Sequence, residues 1–240
     1  MKDNPAPNLL TIYNLLLKKF GQQHWWPGDS KEEIIIGAIL TQNTNWRNVE
    51  KSIDRLKTNN LINFNNIIKV DNQKLANIIR SSGYYNQKSK RLKTIADFFI
   101  KNHLLTPQHI TTNRFREMLL DIKGIGAETA DSILLYAFDR PIFVIDAYTK
   151  RIFNRLGFLD KKASYKASQN FFMENLNPSA GFALGKDEKL FNEFHALLVK
   201  LGKDICKKKP LCLQCPLKSE CTYFNDNSSY SNFAEDITKS

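Results

Sequence analysis

The feature that most narrows what this chain can fold into is the run Ile122-Lys123-Gly124-Ile125-Gly126-Ala127-Glu128-Thr129-Ala130-Asp131, followed twenty residues past Gly126 by Asp146. Residues 115–122 place apolar side chains at helical spacing, the two glycines predict a tight turn, and the alanine-rich run 127–138 resumes the helical period. That is the pattern of a helix-hairpin-helix. Glycine lets backbone approach a polyanion with no Cβ in the way. The N–H groups of Ile125, Gly126 and Ala127, opening the second helix, are expected to hold a DNA phosphate without reading sequence. Taken alone, a G-x-G between helices also fits an ordinary helix–helix turn.

Cys206, Cys212, Cys215 and Cys221 are the only cysteines in 240 residues and form one C-x5-C-x2-C-x5-C cluster. The sequence shows no charged-then-apolar leader and no long apolar span. We therefore expect a cytoplasmic, reduced protein without membrane association, nucleoid-associated in a prokaryote, in which disulfides are a poor explanation. Four thiolates at this spacing fit a [4Fe-4S] cluster or an all-thiolate zinc site, and spacing alone does not choose. Unpaired structural cysteines are the plain alternative.

With the hairpin, Asp146 and the cysteines together, the chain from about Leu16 to Cys221 resembles the endonuclease III-like DNA glycosylases of the helix-hairpin-helix, Gly/Pro-rich loop, Asp superfamily. Two upstream segments join the resemblance. Ala38-Ile39-Leu40-Thr41-Gln42-Asn43-Thr44 is similar to the segment whose glutamine enters the gap left by an extruded base. Ser82-Gly83-Tyr84-Tyr85-Asn86-Gln87-Lys88 is similar to the family's G-x-Y/F-x-x-K turn, which implies that Lys88 approaches the DNA backbone. One difference is the cysteine spacing, since family members often have six residues between the first two cysteines where this chain has five.

Composition agrees. Thirty-five Lys and Arg against twenty-four Asp and Glu leave a formal charge of +11, enough to attract phosphate and make binding salt-dependent. Apolar residues recur at three-and-four spacing, predicting an all-α chain with helices over 9–20, 31–40, 46–56, 73–81, 87–103, 114–121, 127–138, 146–156, 165–175 and 188–201. The family's architecture implies a central helical domain, 30–140, carrying the hairpin. A second helical domain, 1–29 plus 141–224, would carry the cysteine loop, with the active-site cleft between the two. The stretch 178–186 reads as a loop and 225–240 as a frayed tail.

The family's catalytic aspartate matches Asp146. Base loss leaves positive charge on the sugar, which a carboxylate beside it can stabilise. Asp before Ala147-Tyr148-Thr149 also suits a helix N-cap, and both roles are compatible. Family members that cleave the strand carry a lysine two residues after the second hairpin glycine. Here that position is Glu128, which cannot form an imine, so the resemblance implies base release without lyase activity. Lys123 and Lys150 are offset from that position and read as phosphate contacts or solvated side chains.

The adenine-mismatch branch would need a glutamate where Ala38 stands, which points to a leaving group already activated, such as N-alkylated purine. Trp25 and Trp26, adjacent and before Pro27, offer π-faces to a cationic base, with Glu128 completing the expected pocket. Ordinary packing is the alternative for both indoles. The Trp pair, the Leu-Thr-Gln-Asn-Thr segment and the glutamate resemble the bacterial 3-methyladenine DNA glycosylase branch, whose better-known members lack the four cysteines. His195 and Phe171, Phe172, Phe191 and Phe194 read as core. Lys207, Lys208 and Lys209 read as a solvated or phosphate-facing loop, and Trp46 as pocket lining or a helix anchor.

The expectation is a monomeric, monofunctional glycosylase that removes alkylated purines from duplex DNA. An endonuclease III-type enzyme for oxidised or deaminated pyrimidines, and a non-catalytic binder of damaged DNA, are the other readings.

Overall fold

The computed structural model describes residues 8–176 and 188–227. The expected loop 178–186 and residues 228–240 of the expected tail lie outside them. Every regular element among the described residues is helical, and none of these helices is long and apolar enough to cross a membrane. The chain divides into two compact units, one spanning 26–140 and the other combining 1–25 with 141–240.

The contiguous unit is built on α2 (Lys31–Leu40), whose Ser30 cap accepts a hydrogen bond from Glu33 N at 3.1 Å. Its sequence KEEIIIGAIL is apolar on every side after the first turn, so the helix is enclosed, with Ile35, Ile36, Ile39 and Leu40 fully buried. Around it lie α3 (Trp46–Thr58), α6 (Tyr85–Lys101) and α8 (Ala127–Phe138), while α7 (Thr112–Leu120) packs on α8. Two short helices, α4 (Phe64–Lys69) and α5 (Asn72–Ile78), pack on α6. A linked set of rings, Phe64, Phe99, Phe115 and Phe138, with centroids 4.9 to 6.1 Å apart, fills the space beside α6 and α8.

The discontinuous unit packs α1 (Leu9–Phe20) and α9 (Ala147–Arg155) against α11 (Glu188–Asp204). It also holds α10 (Tyr165–Asn175) and a short α12 (Thr222–Asp226) beside α9. Of the four phenylalanines read as core, Phe172, Phe191 and Phe194 are buried and Phe171 is only partly so: Phe143 stacks on Phe172 at 4.1 Å, and Phe153, Phe171, Phe191 and Phe194 close around them. Helices α9 and α11 approach so closely that any Cβ at Gly202 would collide with the Tyr148 ring.

Several expected boundaries move. The helix expected over 73–81 ends at Ile78, followed by one 3-10 turn, Arg80–Ser82, closed by Gly83 at φ +67°. The helix expected from Gln87 starts at Tyr85, after Tyr84 in the left-handed region. Helix α11 continues to Asp204, α12 occupies the start of the expected tail, and α4 had no counterpart in the sequence reading.

Candidate active site

The hairpin turn lies between α7 and α8. Arg116 on α7 holds the wholly buried Asp131 of α8 with both nitrogens, Nε to Oδ1 at 2.6 Å and a terminal nitrogen to Oδ2 at 3.1 Å. Ile122 and Ile125 point inward and anchor the turn, leaving Lys123, Gly124 and Gly126 exposed. The two glycines do different things. Gly124 has φ +92°, and a Cβ there would meet Arg91 Nε at 2.5 Å. Gly126 is extended, at φ −95° and ψ 175°, with open space where a Cβ would stand, and caps α8 without a side-chain bond.

Of the three amides expected to face a phosphate, that of Ile125 is committed to Ile122 O at 3.0 Å. It closes the turn. The amides of Gly126 and Ala127 have no backbone acceptor among the described residues and lie at the positive end of the α8 dipole. The expected phosphate site therefore shortens to those two groups. Glu128 is exposed in the first turn of α8.

Gln42 follows the C-terminal cap of α2 and reaches the hairpin. Its Nε2 donates to Gly124 O at 3.2 Å and Thr129 Oγ1 at 3.0 Å, and its Oε1 accepts from Arg91 Nη1 at 2.5 Å. Lys88, expected at the DNA backbone, is turned inward and is 1% exposed. Its ammonium donates to Leu40 O at 2.8 Å and Ser82 O at 2.7 Å, fastening the start of α6 to the end of α2. Burial, helped by the Arg91 charge, pushes it down to about 8. Tyr84, to which the sequence assigned no role, lies four residues earlier and is 64% exposed.

The two tryptophans belong to different units, since the division falls between them. The Lys203 ammonium lies 5.5 Å from the Trp25 ring centroid. Trp26 meets Trp46 edge-on at 5.0 Å and Tyr136 at 5.2 Å, and a Cβ at Gly37 would touch its indole at 3.1 Å. Trp46 also lines a cavity of about 280 Å3 with Asp29, Glu33, Glu50, Asp54 and Lys57. Lys57 bridges Asp29 and Glu33 at 2.8 Å each, and its hydrogen bonds to both push it up to about 12.

Asp146 is the N-cap of α9, with Oδ1 accepting from Thr149 N at 2.7 Å. Its Oδ2 lies 3.9 Å from His195 Nε2, too far for a hydrogen bond. His195 is buried on α11 and its imidazole is pushed toward the neutral form by burial, which the Asp146 charge opposes. Lys150 does not face solvent freely, because its ammonium binds Ala163 O at 3.1 Å.

All four cysteines line one cavity with Arg155, Tyr223 and Phe224. The Arg155 guanidinium reaches Cys206 Sγ at 3.2 Å and the carbonyls of Lys207 and Lys208 at 2.6 and 3.1 Å, which ties the first cysteine to α9. Burial pushes the Cys215 thiol up to about 11, and it raises Cys212 and Cys221 as well, with the neighbouring cysteines adding to the effect. Four thiols lining one space, three of them raised by burial, are a donor set that a cationic metal centre would satisfy. The residues fit such a group, although among the described residues no three of these side chains are drawn around a single point.

An all-helical chain with a glycine hairpin opening one helix, and an aspartate capping another twenty residues later, has the architecture of a base excision DNA glycosylase. Residues 36–178 match the HhH-GPD superfamily of base excision DNA repair proteins, and the chain belongs to that superfamily. A provisionally assigned DNA repair glycosylase of Methanocaldococcus jannaschii is 45% identical over 225 residues, 92% of this chain and 99% of that protein. Endonuclease III of Sulfolobus acidocaldarius is 31% identical over 195 residues, 80% of this chain and 82% of its own length. The H. pylori 3-methyladenine DNA glycosylase MagIII, crystallised with 1,N6-ethenoadenine, matches with a TM-score of 0.70 and 33% identity, over 81% of this chain and 95% of that one.

Proposed function

We propose that the chain is a monofunctional DNA glycosylase that removes alkylated purines of the 3-methyladenine type from duplex DNA. The observation that carries this reading is Glu128, an exposed carboxylate in the first turn of α8 where a lyase would present its amine. A carboxylate leaves water as the nucleophile. The 33% identity to the H. pylori 3-methyladenine enzyme supports the substrate class. In this reading the Gly126 and Ala127 amides grip a phosphate, Gln42 fills the gap left by the flipped nucleotide, and Trp25, Trp26 and Glu128 receive the base. Asp146 stabilises the charge that develops on the sugar. Cys206, Cys212, Cys215 and Cys221 hold a [4Fe-4S] cluster whose contribution is to fix the C-terminal loop, with zinc as the alternative.

The likeness to the Sulfolobus endonuclease III favours a second reading, a glycosylase for oxidised or deaminated pyrimidines. A panel of duplexes, each carrying one lesion and read for free base, separates the two. Release of 3-methyladenine ahead of thymine glycol and uracil, with abasic strands that break only in alkali and no borohydride-trapped complex, is the expected result. Preference for thymine glycol would overturn the substrate class, and efficient trapping would overturn the monofunctional assignment. Trp25→Ala and Trp26→Ala should each lower transition-state binding of 3-methyladenine by roughly 1 to 3 kcal/mol, as loss of base stacking does elsewhere.

A further inference from the structure

We propose that Arg91 is the positioning residue of Gln42, fixing which end of its amide is presented to the base left unpaired by extrusion. This rests on the reading of Gln42 as the gap-filling side chain. An amide's two ends are nearly alike in shape, so a glutamine in a turn can present either one. Arginine has donors only, so Arg91 Nη1, 2.5 Å from Oε1, can face the oxygen and never the nitrogen. The other end is claimed by acceptors, with Nε2 donating to Gly124 O and Thr129 Oγ1. The two sets agree on one orientation.

Arg91 is itself placed. Its side chain crosses Gly124, where a Cβ would lie 2.5 Å from Nε, 3.1 Å from Cδ and 3.3 Å from Cζ, so the room for the guanidinium depends on glycine at that position. One turn earlier on α6, the buried Lys88 fastens the helix to Leu40 O, two residues before Gln42. The distance from the base of α6 to the amide is therefore set by Lys88 and the orientation of the amide by Arg91. Because Gly124 belongs to the hairpin, the same contacts couple the phosphate-gripping turn to the inserted side chain. A glutamine held in this way enters the gap already ordered, and much of the entropy cost of insertion has been met in the free protein.

The test uses the full-length protein and a duplex with 2-aminopurine opposite a tetrahydrofuran abasic-site analogue, a probe that needs no knowledge of the natural lesion. Wild type should change the 2-aminopurine fluorescence on binding as Gln42 enters the gap facing it, and Gln42→Ala should remove most of that change. Arg91→Met should weaken both the fluorescence change and the affinity, the latter about three- to tenfold, the range expected when one side chain must be ordered on binding. Arg91→Lys keeps the charge and the fold but not the planar fork, and should fall between. The double variant should be no worse than Gln42→Ala alone, because the two residues act as one unit. Wild-type fluorescence amplitude in both Arg91 variants, or losses that add in the double variant, would overturn the proposal. So would a lowered salt slope for Arg91→Met in the Gln42→Ala background, since that marks Arg91 as a phosphate contact. An unchanged signal in Gln42→Ala would instead refute the gap-filling reading itself.

Discussion

The two hairpin glycines should fail in different ways when given a methyl group. At Gly124, φ +92° puts alanine in a region that costs an L-residue roughly 1 to 2 kcal/mol. The new Cβ would also stand 2.5 Å from Arg91 Nε, so the guanidinium must move. Releasing its bond to Gln42 Oε1 adds roughly 0.5 to 1.5 kcal/mol. Gly124→Ala should therefore lose about 2 to 3 kcal/mol, lowering the melting temperature by several degrees for a chain of this size. At Gly126 the backbone is extended and a Cβ meets nothing, so Gly126→Ala should cost only about 0.5 to 1 kcal/mol through the weaker N-cap. Its methyl group would nevertheless stand in the open space before the two uncommitted amides. Binding to an abasic-analogue duplex should weaken about tenfold, equivalent to about 1.4 kcal/mol. Denaturant unfolding gives the first quantity and fluorescence anisotropy at fixed salt the second. Equal destabilisation by the two substitutions would refute the division of roles, and wild-type affinity in Gly126→Ala would remove the phosphate from the hairpin.

Asp146→Asn keeps the cap to Thr149 N but removes the charge, so single-turnover excision should fall by roughly a hundredfold while lesion-DNA affinity stays level or rises, and unchanged activity would leave Asp146 a helix cap only. Protein purified without oxygen should absorb broadly near roughly 400 nm and carry about four irons, lost in Cys212→Ser, whereas colourless protein with one equivalent of zinc would reject the cluster. Lys88 titrates at about 8 in the fold against an ordinary 10.5, so at neutral pH both states are protonated and burial of the charge costs about 3 kcal/mol in full. Between pH 8 and 10.5 the unfolded chain holds the proton the fold has released, and that cost fades as pH rises. Wild type should thus gain up to about 2 kcal/mol on Lys88→Met between pH 7.5 and 9.5, and a difference independent of pH would show that the buried ammonium does not titrate there.

The long amphipathic runs were legible because local signals agreed with the period. Ser30 caps α2, glycine opens α8, and Leu9–Phe20, Ala127–Phe138 and Tyr165–Asn175 have the limits the pattern gave them. Helix α4 was not, since its six residues hold fewer than two turns and only Phe64 and Ile67 are buried, although Asn63, which accepts from two amides, was a start signal in plain view. Lys88 carried a signal too. It shares the spacing of Leu92, Ile95 and Phe99, the buried face of α6, and a lysine on that stripe has to find acceptors inside. What no local rule could supply is the clasp at Gln42, whose partners lie 49, 82 and 87 residues away in sequence.

Trp25 and Trp26 are adjacent in sequence, and the division between the two units falls between them. Within its own unit each indole has its own neighbours: Trp25 the Lys203 cation, Trp26 two aromatic rings and the gap at Gly37. Their substitutions should then separate. Trp26→Ala opens a hole among Trp46, Tyr136 and α2 and should destabilise the 26–140 unit by roughly 3 to 5 kcal/mol, the range for removing a packed aromatic. Trp25→Ala removes a ring of the 1–25 plus 141–240 unit that lies under the Lys203 ammonium, and should leave the 26–140 unit's stability unchanged. Should both lower 3-methyladenine excision at temperatures where Trp26→Ala remains folded, the pocket reading gains from two independent sides. An excision defect in Trp26→Ala that vanishes on cooling, while Trp25→Ala has none, would reduce both tryptophans to packing and leave Glu128 to account for the base alone.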